Sequence, residues 1–371
     1  MARGADGREY NAVKLAARIA VGALALALAA GAGAYAFRRA LGEAAFARAA
    51  QHTVGRDRAA ELPDGLHVYL CGSGGPMPDA ARAGPCLGVL AGQRAFVFDI
   101  GSGGMRRLGR MGFPMARLER VYLTHLHSDH FDGLGELMLQ AWVGGGRHAP
   151  LSVAGPEGVA EVVAGFNQAY RIDSGFRTAH HGADVADPAG YGAVAETLTI
   201  PPEGAVVFRE GEITITAIPA LHAPAAPAFS LRVDYRGRSI AISGDTAPNL
   251  RFARLSEGVD VMLHEALSRE QVSVMERAAR ARAQPGLAKI LFDIPGYHTT
   301  PVEAAHLAHE ARARTLFLYH LVPPPRSRFF NAAFLADAPR LYDGPIRIGE
   351  DGMLITLAAG EDAVRVTNAL R

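Results

Sequence analysis

A layered α+β domain, its sheets covered by helices and preceded by one hydrophobic helix, is what this sequence predicts. Short apolar, β-rich runs interleave with amphipathic stretches from Leu66 onward, and hairpin signals separate several of them. One stretch near the start, Ile19 to Phe37, holds no charge at all. The 371 residues, 49% hydrophobic and 20% charged, suffice for a large core and exclude a disordered chain. Gly 42 and Pro 22 without a collagen-like period indicate many turns. Cys 2 excludes a disulfide scaffold and a four-cysteine zinc site.

Residues 1–18 form a basic segment, and the apolar run 19–37 follows, flanked by Arg18 and by Arg38-Arg39. As a helix the run extends roughly 28 Å at 1.5 Å per residue, about one hydrocarbon core. It reads as a transmembrane anchor or as a secretory signal peptide ending in Ala34-Tyr35-Ala36. The plain alternative is a buried Ala-rich helix. Positive charge on both sides leaves the orientation open. The expected location is membrane-anchored or exported, with the periplasmic side favoured. Residues 38–62 read as a helical, Ala/Arg-rich linker. Residues 1–60 hold nine Lys/Arg against four Asp/Glu, a net of +5; the remainder holds 29 against 33, a net of −4. The body is therefore mildly acidic, which disfavours a broad phosphate-binding surface.

The folded domain opens with a strand at 66–70 and the turn-rich Gly72-Ser73-Gly74-Gly75-Pro76. Residues 87–90 and 95–100 read as a hairpin pair around Ala91-Gly92-Gln93. Further strands are expected at 121–123, 151–154, 205–208, 212–218, 228–235, 238–243, 260–263, 315–319, 345–348 and 353–357. Helices are expected at 103–111, 131–140, 156–169, 248–254, 268–282, 301–313 and 332–339. Thr300, Pro301 and Glu303 form a helix start with a capping residue, a first-turn Pro and the acid of a capping box.

Directly after the strand at 121–123 comes Thr124-His125-Leu126-His127-Ser128-Asp129-His130. Alternate residues of an extended segment point the same way, so His125 and His127 can converge on one ion. Asp129 and His130 lie where the chain turns toward a helix and can face a second ion. Imidazole and carboxylate suit zinc and related divalent metals.

This H-x-H-x-D-H run resembles the metallo-β-lactamase superfamily, over roughly residues 66–358. Asp99-Ile100-Gly101 looks like its early Asp-x-Gly element, Gly244-Asp245-Thr246 like its bridging-Asp element, and His222 and His320 like its later ligands. The resemblance implies a four-layer αβ/βα sandwich in a metallo-hydrolase domain at 63–371. It implies two divalent metal ions, Zn2+ first, with Mn2+ or Fe2+ as alternatives. His125, His127 and His222 would hold one ion and Asp129, His130 and His320 the other, with Asp245 bridging. Within the superfamily the chain is most similar to the ribonuclease Z and arylsulfatase-like branch. Cys71 to Pro78 with Ala83-Gly84-Pro85, His264-Glu265-Ala266, and His298-Thr299-Thr300 carry that similarity. Ribonuclease Z of the long-arm type has a tRNA-gripping arm between the His222-like and Asp245-like positions. Here Asp234-Tyr235-Arg236-Gly237 reads as a tight turn in that interval.

The reaction expected is hydrolysis of an ester bond by a metal-bridging hydroxide, with a phosphodiester or sulfate ester of a small molecule as the leading substrate. Asp129 would aim the nucleophile, His298 would stabilise the oxyanion or protonate the leaving group, and Glu265 would orient His298. A ribonuclease Z-like tRNA 3′-processing endonuclease and a lactone or carboxyl-ester hydrolase are the alternatives. A di-iron oxidoreductase is disfavoured by His127, where such members carry Glu, and a non-catalytic binding protein by the full ligand set. A homodimer is a further expectation. His264 and Glu265 read equally as structural, and Asp99 as a hydrogen-bond acceptor behind the ligands. His180-His181 read as a solvated loop, His306, His309 and Glu310 as a polar helix face, and Trp142 as packing. Cys71 and Cys86 can pair in an oxidising compartment or stay apart.

Overall fold

The structure is a computed structural model and describes residues 6–370; residues 1–5 of the basic segment, and residue 371, lie outside the described residues. It divides into two units, residues up to Asp57 and residues from Arg58. The first holds helices α1 (Asp6–Ala36) and α2 (Arg38–Thr53). Within α1, Tyr10–Ala36 is long and apolar enough to cross a bilayer, by length and composition.

The second unit contains two sheets. In chain order its first strands are β1 (Gly65–Gly72), β2 (Cys86–Ala91), β3 (Arg94–Ile100), β4 (Leu118–Tyr122), β5 (Leu151–Gly155) and β6 (Ala193–Thr197). Next come β7 (Ala205–Glu210), β8 (Ile213–Pro219), β9 (Phe229–Tyr235), β10 (Arg238–Ile242), β11 (Val261–Leu267), β12 (Leu316–Val322) and β13 (Ile346–Ile348). The last are β14 (Met353–Ala358) and β15 (Arg365–Asn368). One sheet runs β15-β14-β1-β2-β3-β4-β5-β6 and the other β13-β12-β11-β10-β9-β8-β7.

Alternation along the strands explains the layering. In β1, Leu66, Val68 and Leu70 enter a core shared with Phe229, Leu231, Ile240, Leu263 and Phe317 of the other sheet. Tyr69 and Cys71 point the opposite way, to a core with helices α3 (Gly104–Arg110), α4 (Leu134–Leu139) and α5 (Val159–His181). The outer face of the second sheet is covered by α6 (Leu250–Leu255), α9 (Pro301–Glu310) and α10 (Asn331–Leu335). Two further helices, α7 (Arg269–Ala281) and α8 (Pro285–Asp293), pack on Leu267 and Val322. This is the four-layer αβ/βα sandwich that the sequence implies.

Several element boundaries differ from expectation. The helix expected to end at 169 continues to His181, so His180 and His181 stand on an exposed helix end instead of a loop; Gly182, at φ 78°, stops it. The lack of an apolar stripe beyond Gln168 hid that extension. Helix α8 was unexpected because Pro285-Gly286 reads as a turn, yet Pro is compatible with a first helical turn. The edge strands β6 and β15 carry mostly exposed residues and so lack an apolar run. The segment expected as one helix at 332–339 is α10 followed by a 3-10 turn at 338–340. Arg236 and Gly237, both at positive φ, form the tight hairpin between β9 and β10. Cys71 and Cys86 are joined in a disulfide, with Cα atoms 5.0 Å apart.

Candidate metal centre

The two sheets bring their loops together at one end, and the expected ligands meet there. His125 and His127 follow β4, and Asp129 and His130 lie in a 3-10 turn at 128–130. His222 follows β8, Asp245 follows β10, and His320 lies within β12. Ligand atoms of His125, His127, His222 and Asp245 all lie within 4.8 Å of one another, as do those of Asp129, His130 and His320. Asp245 Oδ2 stands between the two groups. It is 3.9 Å from His125 Nε2 and from His222 Nε2, 3.3 Å from His130 Nε2 and 3.2 Å from His320 Nε2.

The buried polar atoms at the centre lack partners. His125 Nε2, His130 Nε2, His320 Nε2, Asp129 Oδ2 and Asp245 Oδ1 make no hydrogen bond. Leaving so many buried polar atoms unpaired is costly, and together they form a donor set for divalent cations. On three of the rings the other nitrogen is engaged, which aims Nε2 inward. His130 Nδ1 is 2.8 Å from Asp99 Oδ2, His222 Nδ1 is 3.0 Å from the Tyr297 carbonyl, and His125 Nδ1 is 3.1 Å from Thr124 Oγ1. Charge points the same way. Burial keeps His125, His127 and His222 below the usual imidazole range, hence neutral and able to ligate. Burial opposes protonation of His130 too, but Asp245 and Asp99 outweigh it and raise it well above that range. The acidic cluster therefore calls for positive charge.

Two kinks in the sheets set this geometry. Asp99 is an extra residue opposite the Cys86–Leu87 step of β2, and His320 an extra residue opposite the Glu265–Ala266 step of β11. Both take positive φ, 53° and 46°. Such bulges re-aim a side chain out of the pleat. Asp99 thereby accepts from the Thr124 backbone N–H and hydroxyl, each at 2.8 Å, as well as facing His130.

His298 and Glu265 lie at the edge of the centre. His298 Nδ1 is 3.1 Å from Glu265 Oε1, which also accepts from Thr299 N at 2.9 Å. A ring nitrogen of His298 lies within 4.8 Å of ligand atoms of Asp245 and His320. Burial opposes charge on His298, but Glu265 and then Asp245 raise its pKa to about 9. His264 turns its Nδ1 to the Glu265 carbonyl at 2.8 Å and stays wholly buried in the sheet, away from the ligand groups. Trp142 is buried and donates to the Asp187 carbonyl. His306 and His309 lie on α9, outside the ligand clusters.

The sequence pattern of the beta-lactamase superfamily domain matches residues 97–321. A protein named ribonuclease Z from Mycobacterium avium (strain 104) is 34% identical over 288 residues, 77% of this chain and 96% of that one. The metallo-beta-lactamase fold protein YhfI from Bacillus subtilis superposes with a TM-score of 0.55 at 20% identity, covering 78% of this chain and 99% of its own. Human tRNase Z, short form, gives the same TM-score and identity over 78% of this chain and 98% of its own. The chain belongs to the metallo-β-lactamase superfamily of metallo-hydrolases, in the branch of the ribonuclease Z proteins.

Proposed function

We propose that the chain is a two-metal phosphodiesterase of the ribonuclease Z type, acting on RNA, with His125, His127, Asp129, His130, His222, Asp245 and His320 as the ligands. The observation that carries this reading is the 34% identity to ribonuclease Z across nearly that protein's whole length, with all seven expected ligand residues in the clusters of one centre. These relatives favour the tRNA-processing alternative over the small phosphoric or sulfuric ester that the acidic body and export-like start suggest.

Two divalent ions supply, when bound, charge stabilisation on a phosphoryl oxygen and acidification of water. Asp129 remains ionised, since His320 and His130 offset its burial, and the carboxylate oxygen not given to an ion can accept a hydrogen bond from the attacking water. His298, held by Glu265, can donate a proton to the departing oxygen. His125, His130, His222 and His320 are buried, while His127 and Asp129 face the open side of the centre, where a substrate can enter.

A second reading, hydrolysis of small phosphodiesters, is favoured by the hairpin at Tyr235–Arg238, which leaves no arm between His222 and Asp245. The deciding experiment incubates the full chain, with zinc or manganese, with a precursor tRNA and with bis-p-nitrophenyl phosphate. Cleavage of the precursor at the 3′ side, lost in Asp245→Ala, is the expected result. Hydrolysis of the small diester alone would replace the RNA reading with the second one.

A further inference from the structure

A cavity of about 490 Å³ adjoins the centre, with Asp129 on its wall beside Arg106, Arg107 and Arg110. Gly75 also lines it, so close to the centre that a Cβ there would sit 3.1 Å from the His320 ring. A second cavity, about 650 Å³, shares Met77, Pro78 and Asp79 with the first, so the two are neighbours. The second cavity is different in kind. Its walls come from the loop after β1, from α7, from the chain just past His320, and from α10. Asp79, Gln271 and Arg326 are its few polar contributors. Phe330 is 45% exposed there, leaving much of its ring free to meet a ligand.

We propose that this groove, formed by Met77, Pro78, Met275, Pro323, Phe330 and Ala333, receives the alkyl or aryl group of a phosphoric ester whose phosphoryl group lies at the metal centre. The proposal adds a substrate class to the RNA reading and rests on the metal centre being the place of hydrolysis. Three observations support it. The groove borders the cavity that holds Asp129, with Met77, Pro78 and Asp79 common to both walls. Its size falls in the roughly 300–1,000 Å³ range of small-molecule sites. Its surface of Met, Pro and Phe offers dispersion and burial but few hydrogen-bond partners, which suits hydrocarbon better than a nucleobase edge. The first cavity offers Arg82, Arg106, Arg107 and Arg110 among Asp79, Asp129 and Asp132, and the second is apolar, a pairing that suits a phosphoric ester with a greasy substituent. The apolar half then adds binding energy that a methyl ester cannot reach.

The test uses the full chain in lipid nanodiscs with zinc or manganese and p-nitrophenyl phosphodiesters from methyl to hexyl. Burial of each methylene is worth roughly fourfold, so kcat/KM should rise at least about tenfold from methyl to hexyl. Ala333→Asp, at an exposed position, and Phe330→Ser should flatten that rise by lowering the hexyl-ester kcat/KM toward the methyl-ester value. Calorimetry with hexylphosphonate against methylphosphonate, on wild type and both variants, should show the same preference and the same loss. A flat series in wild type, a rise kept in both variants, or a preference for a nucleoside ester that Phe330→Ser removes would each overturn the groove assignment. Failure to hydrolyse even the methyl ester would count against the metal-centre reading instead, and the phosphonate preference would then decide the groove alone.

Discussion

Asp99 accepts three hydrogen bonds behind the ligands and touches no substrate position, yet it fixes which nitrogen of His130 faces the centre. Asp99→Asn keeps the shape but removes the charge. Metal affinity should fall about 10- to 100-fold, read by competition with a chelator. His298 is a different case: His298→Ala should retain both ions and lose turnover by about 10²-fold or more, read by metal content and kcat side by side. With His298 as the proposed proton donor, activity should decline as pH rises through its pKa. Glu265 is the group that most raises that pKa against burial. Glu265→Gln should therefore move the alkaline limb of the kcat profile to lower pH. An unmoved limb would remove Glu265 from that role. Four of the expected ligands, His125, His127, Asp129 and His130, were legible from their close spacing, whereas His222, Asp245 and His320 came with the family resemblance. The positive φ of Asp99 and His320 was not legible, since a bulge depends on the neighbouring strand and leaves no mark on its own residue.

Helix α9 shows how an element can aim a residue. Thr300 Oγ1 accepts from Glu303 N at 3.1 Å, and Glu303 accepts from Thr300 N at 2.8 Å, a complete capping box just after His298. Thr300→Ala should cost about 1 kcal/mol of stability, read from the urea midpoint, with a loss of turnover larger than any loss of metal. This start could be read from three adjacent residues because capping is local. The end of α5 was hidden for the opposite reason: few of its residues are buried, and no stripe of period 3.6 announces it. The length of α5 beyond Gln168 follows from where Gly182 stops it. Strands β6 and β15 sit at sheet edges, where only partial burial is demanded.

At the scale of the molecule, residues from Arg58 onward contain their own cores, and residues up to Asp57 form a separate unit. A chain lacking residues 1–57 should therefore keep its unfolding midpoint and its methyl-ester turnover, while losing sedimentation with membranes. A lowered midpoint in the truncated chain would contradict the division. Sheets covered by helices were readable from the alternation of strands and helices, and the four-layer sandwich came with the family resemblance. The contact between sheets that builds its central core joins residues more than a hundred positions apart, such as Leu66 and Phe229, and only the structure places them together. The central claim is that seven side chains drawn from both sheets hold a pair of divalent ions. Elemental analysis of gently purified full-length protein tests it most directly. Two ions per chain in wild type, with a clear loss in Asp245→Ala, is the predicted result; protein without bound divalent metal, or Asp245→Ala retaining both ions, would contradict it.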